Sequence, residues 1–169
     1  MRTMDLKDYY SYLCDMELRT KSFPEFSVDE LYDMLKLRSE VFVVEQDCVY
    51  LDMDDRDQNA IHVIAVDGGR IVGCLRVFEK DERTGQIGRV VTSRDVRGTG
   101  CGALLMKEAV RVSEQVLGKS STYLEAQVYA IGFYEKHGFV VVSEEFLEDG
   151  IPHVQMVRTA PAAEETIEQ

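Results

Sequence analysis

Val90-Val91-Thr92-Ser93-Arg94-Asp95-Val96-Arg97-Gly98-Thr99-Gly100-Cys101-Gly102-Ala103 is the stretch on which the reading of this chain turns. A β-branched run ends in a glycine-rich turn. Behind it Leu105, Ala109, Val112 and Val116 recur at helical spacing, with Gly118 where a C-terminal cap belongs. Glycines let a backbone approach a ligand closely, and a helix start presents unpaired N–H groups and the positive end of a dipole. Arg97–Gly102 therefore reads as a pyrophosphate cradle. Arg94 and Arg97 add charge, and Lys107 or Arg111 could reach a further phosphate.

Gly98–Ala103 also fits the dinucleotide fingerprint G-x-G-x-x-A, with Glu125 at about the expected distance. Context argues against it. Ser93–Arg97 separate the strand from the first glycine, and too little chain follows Glu125 for further βαβ units. The strands before the turn also come as a tight hairpin. Ile61–Val66 and Arg70–Phe78 flank Asp67-Gly68-Gly69, where glycine supplies the positive φ of a two-residue loop. A parallel doubly wound sheet would not supply such a pair.

Working outward, a charged loop at Glu79–Gly85 leads into a strand at Ile87–Thr92. Upstream, Ser27 and Glu30 form a capping box. Met34, Leu37, Val41 and Val44, widened by Leu31, Leu35 and Phe42, predict an amphipathic helix to about Glu45. Met16–Lys21 predicts a first strand, and Leu51–Asp57 an acidic turn. Downstream come a strand at Tyr123–Gln127, a short helix at Ala130–His137 closed by Gly138, and a strand at Phe139–Glu144. Glu148-Asp149-Gly150 then turns the chain into a last strand at Val154–Arg158. The pattern predicts one α+β domain over residues 15–159 with a mostly antiparallel sheet. Residues 1–14 read as an appendage and 160–169 as a disordered acidic tail.

The 169 residues, 45% of them hydrophobic and 30% charged, suffice for one buried core. No apolar run approaches the roughly 20 residues that span a bilayer, and Met1–Tyr10 lacks the apolar stretch of a signal peptide. A cytoplasmic protein without a membrane partner is the expectation. Cys14, Cys48, Cys74 and Cys101 are scattered, with no C-x-x-C pair and no histidine spacing, so no metal site or disulfide framework is expected. A net charge of −12 argues against nucleic acid and for a cationic small molecule or basic peptide.

Arg97-x-x-Gly100-x-Gly102 resembles the R/Q-x-x-G-x-G/A signature of the GCN5-related N-acetyltransferases, the GNAT family, and Phe133-Tyr134-Glu135-Lys136-His137-Gly138-Phe139 resembles its F-Y-x-x-x-G-F segment. Leu37-Arg38, Val41–Gln46, Ile87–Val90, Ala126-Gln127 and Glu148–His153 are similar to the ElaA-like subgroup. The likeness covers about residues 23–158. It implies a mixed, mostly antiparallel, splayed sheet flanked by helices, its fourth and fifth strands parting near Val91 and Ala126 to admit the thioester of acetyl-CoA, the co-substrate. Backbone groups of Val90, Val91 and Thr92 would pair with the pantetheine arm. Arg97, Gly98, Thr99, Gly100, Cys101, Gly102 and Ala103 would hold the phosphates. Tyr134 matches the tyrosine that in many members protonates the leaving thiolate, and a phenol of pKa ~10 suits that task; the other reading is a helix tyrosine packed beside the cofactor.

Transfer to an amine needs a neutral nucleophile. Glu125, on the strand beside the expected thioester, is the leading base, acting through water; an outward strand carboxylate is the alternative. His62 and His153 are further candidates on the acceptor side, each against a structural role. Glu45, Gln46 and Asp52–Asp57 follow the helix that borders the acceptor cleft in this family, and their carboxylates could hold a cationic substrate or form a solvated face. Tyr129 stands where the subgroup implies a histidine. The activity implied is N-acetyl transfer to a primary amine by direct attack in a ternary complex. A noncatalytic acyl-CoA sensor of the same fold and an acyl-homoserine-lactone synthase stay open as alternatives, as does a homodimer.

Overall fold

The computed structural model describes residues 15–162; the expected appendage at 1–14 and the tail beyond 162 lie outside them. The hairpin forms as expected. β2 (Ile61–Asp67) and β3 (Arg70–Glu79) join through Gly68 and Gly69, at φ 55° and 79°, the left-handed pair a two-residue loop between twisted strands requires. β1 (Glu17–Ser22) pairs antiparallel with β2, and β4 (Thr84–Thr92) with β3. Among the described residues the sheet has eight strands. β5 (Ser121–Gln127) follows β4, then β8 (Ile151–Thr159), with β6 (Val140–Val141) and β7 (Phe146–Glu148) both on the outer edge of β8.

Among the described residues the one parallel pairing, β4 with β5, lasts three rungs: Thr84–Ser121, Gly85–Thr122 and Gln86–Tyr123. Beyond them the strands part. The cause lies in β4, where Arg89 takes φ 54° and the register to β3 slips between the Arg76–Gly88 and Cys74–Val91 pairs. One extra residue on β4 is a bulge, and a bulged strand bends. β5 meanwhile stays paired with β8 along its whole length.

α1 (Val28–Arg38) starts on the expected capping box: Ser27 N–H donates to Glu30 Oε2 at 3.0 Å and Glu30 N–H to Ser27 Oγ at 3.1 Å. It runs on through a π turn to Glu45. α2 (Cys101–Arg111) ends in a second π turn, Val112–Val116. That turn corrects one expectation. Val116 belongs to the apolar stripe at a spacing of 3.6, but the wider π step turns it outward, 52% exposed. The helices cover opposite faces of the sheet. Along β2, Val63 and Ala65 pack toward α2 while Ile64 and Val66 pack toward α1 with Met34 and Leu37. Burial on both faces explains why β2 and β3 read as nearly unbroken apolar runs.

α3 (Ile131–Glu135) is the short helix expected over 130–137, ending before Gly138 at φ 83°. The strand expected over 139–144 is only two residues long, because Ser143 interrupts it: the Gln155 N–H bonds to Ser143 Oγ at 2.8 Å instead of a backbone carbonyl. The chain then rejoins β8 as β7, which the sequence pattern does not announce.

Candidate active site

The glycine turn follows β4 as the motif requires. After a 3-10 turn at Arg94–Val96, Gly98 and Gly100 take φ 75° and 89°, conformations that disfavour a side chain. Gly100 is the N-cap of α2 and offers no side-chain acceptor, so the first amides of Cys101, Gly102 and Ala103 have no side-chain cap. Gly102 sits against α3: a Cβ there would lie 3.4 Å from Phe133 Cζ. Thr99 braces the turn through its hydroxyl, which donates to the Val96 carbonyl at 2.5 Å. Val90, Val91 and Thr92 lie past the last β4–β5 rung, so their edge toward β5 carries no sheet partner.

Glu45 belongs to this turn and not to an acceptor pocket. Its carboxylate accepts from Arg97 Nη1 and Nη2 at 2.5 and 3.1 Å, with Arg94 3.8 Å away, and Arg97 also donates to the Thr92 carbonyl at 3.1 Å. The Arg97 guanidinium holds the Glu45 carboxyl below its ordinary range. The expectation that Glu45 faces a substrate amine is therefore corrected: it is held by Arg97 of the glycine turn and does not line the cleft.

Between the parted strands opens a cleft of about 470 Å³. Val90 of β4, Leu124 and Glu125 of β5 and Tyr134 of α3 line it, together with Gln46 and His153. Tyr134 is buried, with Phe133 and Phe139 edge-on at 5.1 and 6.3 Å, and that burial raises its phenol well above the ordinary pKa. Glu125 is exposed to the cleft and accepts from the Tyr123 hydroxyl at 2.8 Å. Gln127 donates to Gln46 Oε1 at 3.3 Å. His153 Nδ1 lies 2.7 Å from the Ile151 carbonyl and its Nε2 3.7 Å from Glu148. Tyr129 is at the mouth, 82% exposed.

His62 is elsewhere. It is fully buried, its Nε2 2.9 Å from the Asp57 carbonyl, with Phe26 edge-on at 5.4 Å. Burial lowers its pKa, and it does not reach the cleft, so its expected part in substrate binding is corrected to a structural one.

The acidic turn is corrected too. Asp52 and Asp57 are buried, and together with Asp54 they meet three arginines. Arg38 donates to Asp52 at 2.7 Å and to Asp57 at 2.7 Å; Arg76 reaches Asp54 at 2.5 Å and Asp57 at 3.0 Å; Arg89, the bulge residue, pairs with Asp52 at 2.8 Å. Hydrogen bonds from Arg76 keep the Asp54 carboxyl far below its ordinary pKa. These acids are neutralised internally and are neither a solvated face nor a cation trap. The sequence does carry a signal for this network: Arg76 interrupts an apolar strand, and Arg38 falls on the buried stripe of α1.

A family model described as an acetyltransferase (GNAT) domain matches residues 23–160. A UPF0039 protein of Schizosaccharomyces pombe is 40% identical over 146 residues, covering 85% of this chain and 97% of that protein. In structure, an acyl-CoA N-acyltransferase from Pseudomonas aeruginosa superposes with a TM-score of 0.80 at 38% identity, over 85% of this chain and 99% of its own. ElaA of Escherichia coli gives 0.80 at 35% identity with the same coverage, 85% and 99%.

Proposed function

Because the chain belongs to the GNAT acetyltransferase family, we propose that it moves an acetyl group from acetyl-CoA to a primary amine by direct attack in a ternary complex. The observation that carries this reading is the buried Tyr134 in the split between β4 and β5, with the Glu125 carboxylate on the same cleft.

The residues divide the work. Amides of Cys101–Ala103 and the Arg97 side chain receive the pyrophosphate. The unpaired edge of Val90–Thr92 adds the pantetheine arm as a strand would. An acceptor amine enters from the cleft as an ammonium. Glu125, directly or through water, takes its proton, so that nitrogen carries a free electron pair. Nitrogen attacks the thioester carbonyl, the C–N bond forms, and the C–S bond breaks. Tyr134, kept protonated by its burial, gives its proton to the departing sulfur, and the surplus proton on the newly acylated nitrogen returns to the resulting phenolate, leaving a neutral amide. The products are an amide and free CoA.

A panel of primary amines with acetyl-CoA tests the reading. Release of CoA together with an acetylated amine in mass spectrometry supports it. Tight acetyl-CoA binding with no release above the background rate for every amine makes the protein a sensor and overturns it.

A further inference from the structure

The cleft keeps two positive charges that the fold does not use. Arg76 and Arg89 are neutralised by aspartates, whereas Arg56 and Lys80 make no ion pair among the described residues. With 31 acidic against 19 basic residues in the chain, carboxylate partners are plentiful. Both cations instead lie over aromatic faces: Arg56 at 5.3 Å from the Phe78 centroid and Lys80 at 4.3 Å from that of Tyr123. A cation held over a ring keeps its N–H donors free for another acceptor. The same two residues, with Asn59 and Gln86, line an adjoining hollow of about 630 Å³. Of the carboxylates there, Glu79 is 3.3 Å from Lys119 and Asp55 points to solvent.

Tyr123 joins the two halves. Its ring carries the Lys80 ammonium, while its hydroxyl donates to Glu125 at 2.8 Å. A carboxylate suited to an ammonium and a cation suited to an anion therefore sit on either side of one aromatic side chain. We propose that the acceptor is an amine bearing an anionic group, a carboxylate or a phosphate, a few bonds from its nitrogen. Its amine lies at Glu125 and Tyr134, and its anion at Lys80 and Arg56. This inference rests on the acetyl-transfer reading for the identity of the reacting nitrogen. It replaces a purely cationic acceptor with a zwitterionic one.

The test uses the full chain, acetyl-CoA and matched amines: the ω-amino acids from β-alanine to δ-aminovalerate, their neutral amides, the corresponding diamines, and aminoalkyl phosphonates of the same lengths. The best anionic amine should exceed its amide in kcat/KM by about tenfold, the range of a charge-assisted contact, and exceed the diamine by more. Lys80→Gln and Arg56→Gln should each cut the anionic-to-amide ratio about tenfold, through KM and not kcat. The carboxylate and phosphonate arms identify which anion is preferred, and a preference for either supports the site. Amides or diamines used as well as the anionic amines, or a ratio unmoved in both variants, would overturn it. Calorimetry on the CoA complex separates the two readings. Should no amine release CoA while δ-aminovalerate binds to wild type and not to Lys80→Gln, acetyl transfer fails and the anion site stands. Should no anionic amine bind or react, the anion site fails.

Discussion

Phe133 and Phe139 enclose the Tyr134 ring, and the burial that raises its pKa also keeps it a proton donor through neutral pH. Tyr134→Phe keeps the ring and loses the proton. Turnover should fall by about 10²–10⁴ while the acetyl-CoA Kd, read by calorimetry, stays near wild type. A kcat within about twofold, with chemistry rate-limiting, leaves the tyrosine a packing role. His62 makes a second residue-scale case. Its ordinary value is 6.5, burial lowers it, and the unfolded chain therefore binds a proton that the fold refuses. Stability should decline as pH falls through about 6.5, and His62→Gln should flatten the decline in urea midpoints between pH ~7.5 and ~5.5. Equal slopes would sink this. At this scale the placement of Tyr134 and Glu125 on one cleft, and of the glycines at the start of α2, was legible because a motif or a strand position marks them. His62 was not, because a histidine in an apolar strand looks the same whether it faces a cleft or two phenylalanines.

Elements were read best where one local rule governs them. The capping box of α1, the Gly68-Gly69 hairpin and the glycine start of α2 depend on neighbours within four residues. The π turns, the Arg89 bulge and the Ser143 interruption depend on distant partners, and spacing could not show them. The same holds for Asp52, Asp54 and Asp57, whose arginines come from α1, β3 and β4. Arg38 is 1% exposed at the centre of that network. Arg38→Ala leaves two buried carboxylates short of a partner and should cost about 3–5 kcal/mol in urea unfolding; a loss under about 1 kcal/mol would match an exposed pair instead. For the cradle, Gly100→Val forces a β-branched side chain to φ 89° at the cap of α2. Acetyl-CoA affinity should drop more than about tenfold, and an unchanged Kd would remove the phosphate assignment.

Over the whole molecule, the net charge of −12 does not say which acids a substrate meets, because Asp52, Asp54 and Asp57 are paired with arginines and Glu45 with Arg97, pairs that leave the net charge unchanged. The cleft itself mixes Glu125 and Glu148 with Arg56 and Lys80. Composition alone cannot separate those two pictures, since it counts charges without their partners. The sheet does the remaining work: a bulge in β4 and a three-rung contact with β5 open one passage, with the glycine turn following β4 and the cleft beside it. In the proposed reaction both substrates are bound together when nitrogen reaches the carbonyl. Initial rates measured with acetyl-CoA and a reactive amine varied against each other test this most directly. The account predicts intersecting double-reciprocal lines and no acetyl-protein when the amine is withheld; parallel lines with an acetylated protein intermediate would contradict it.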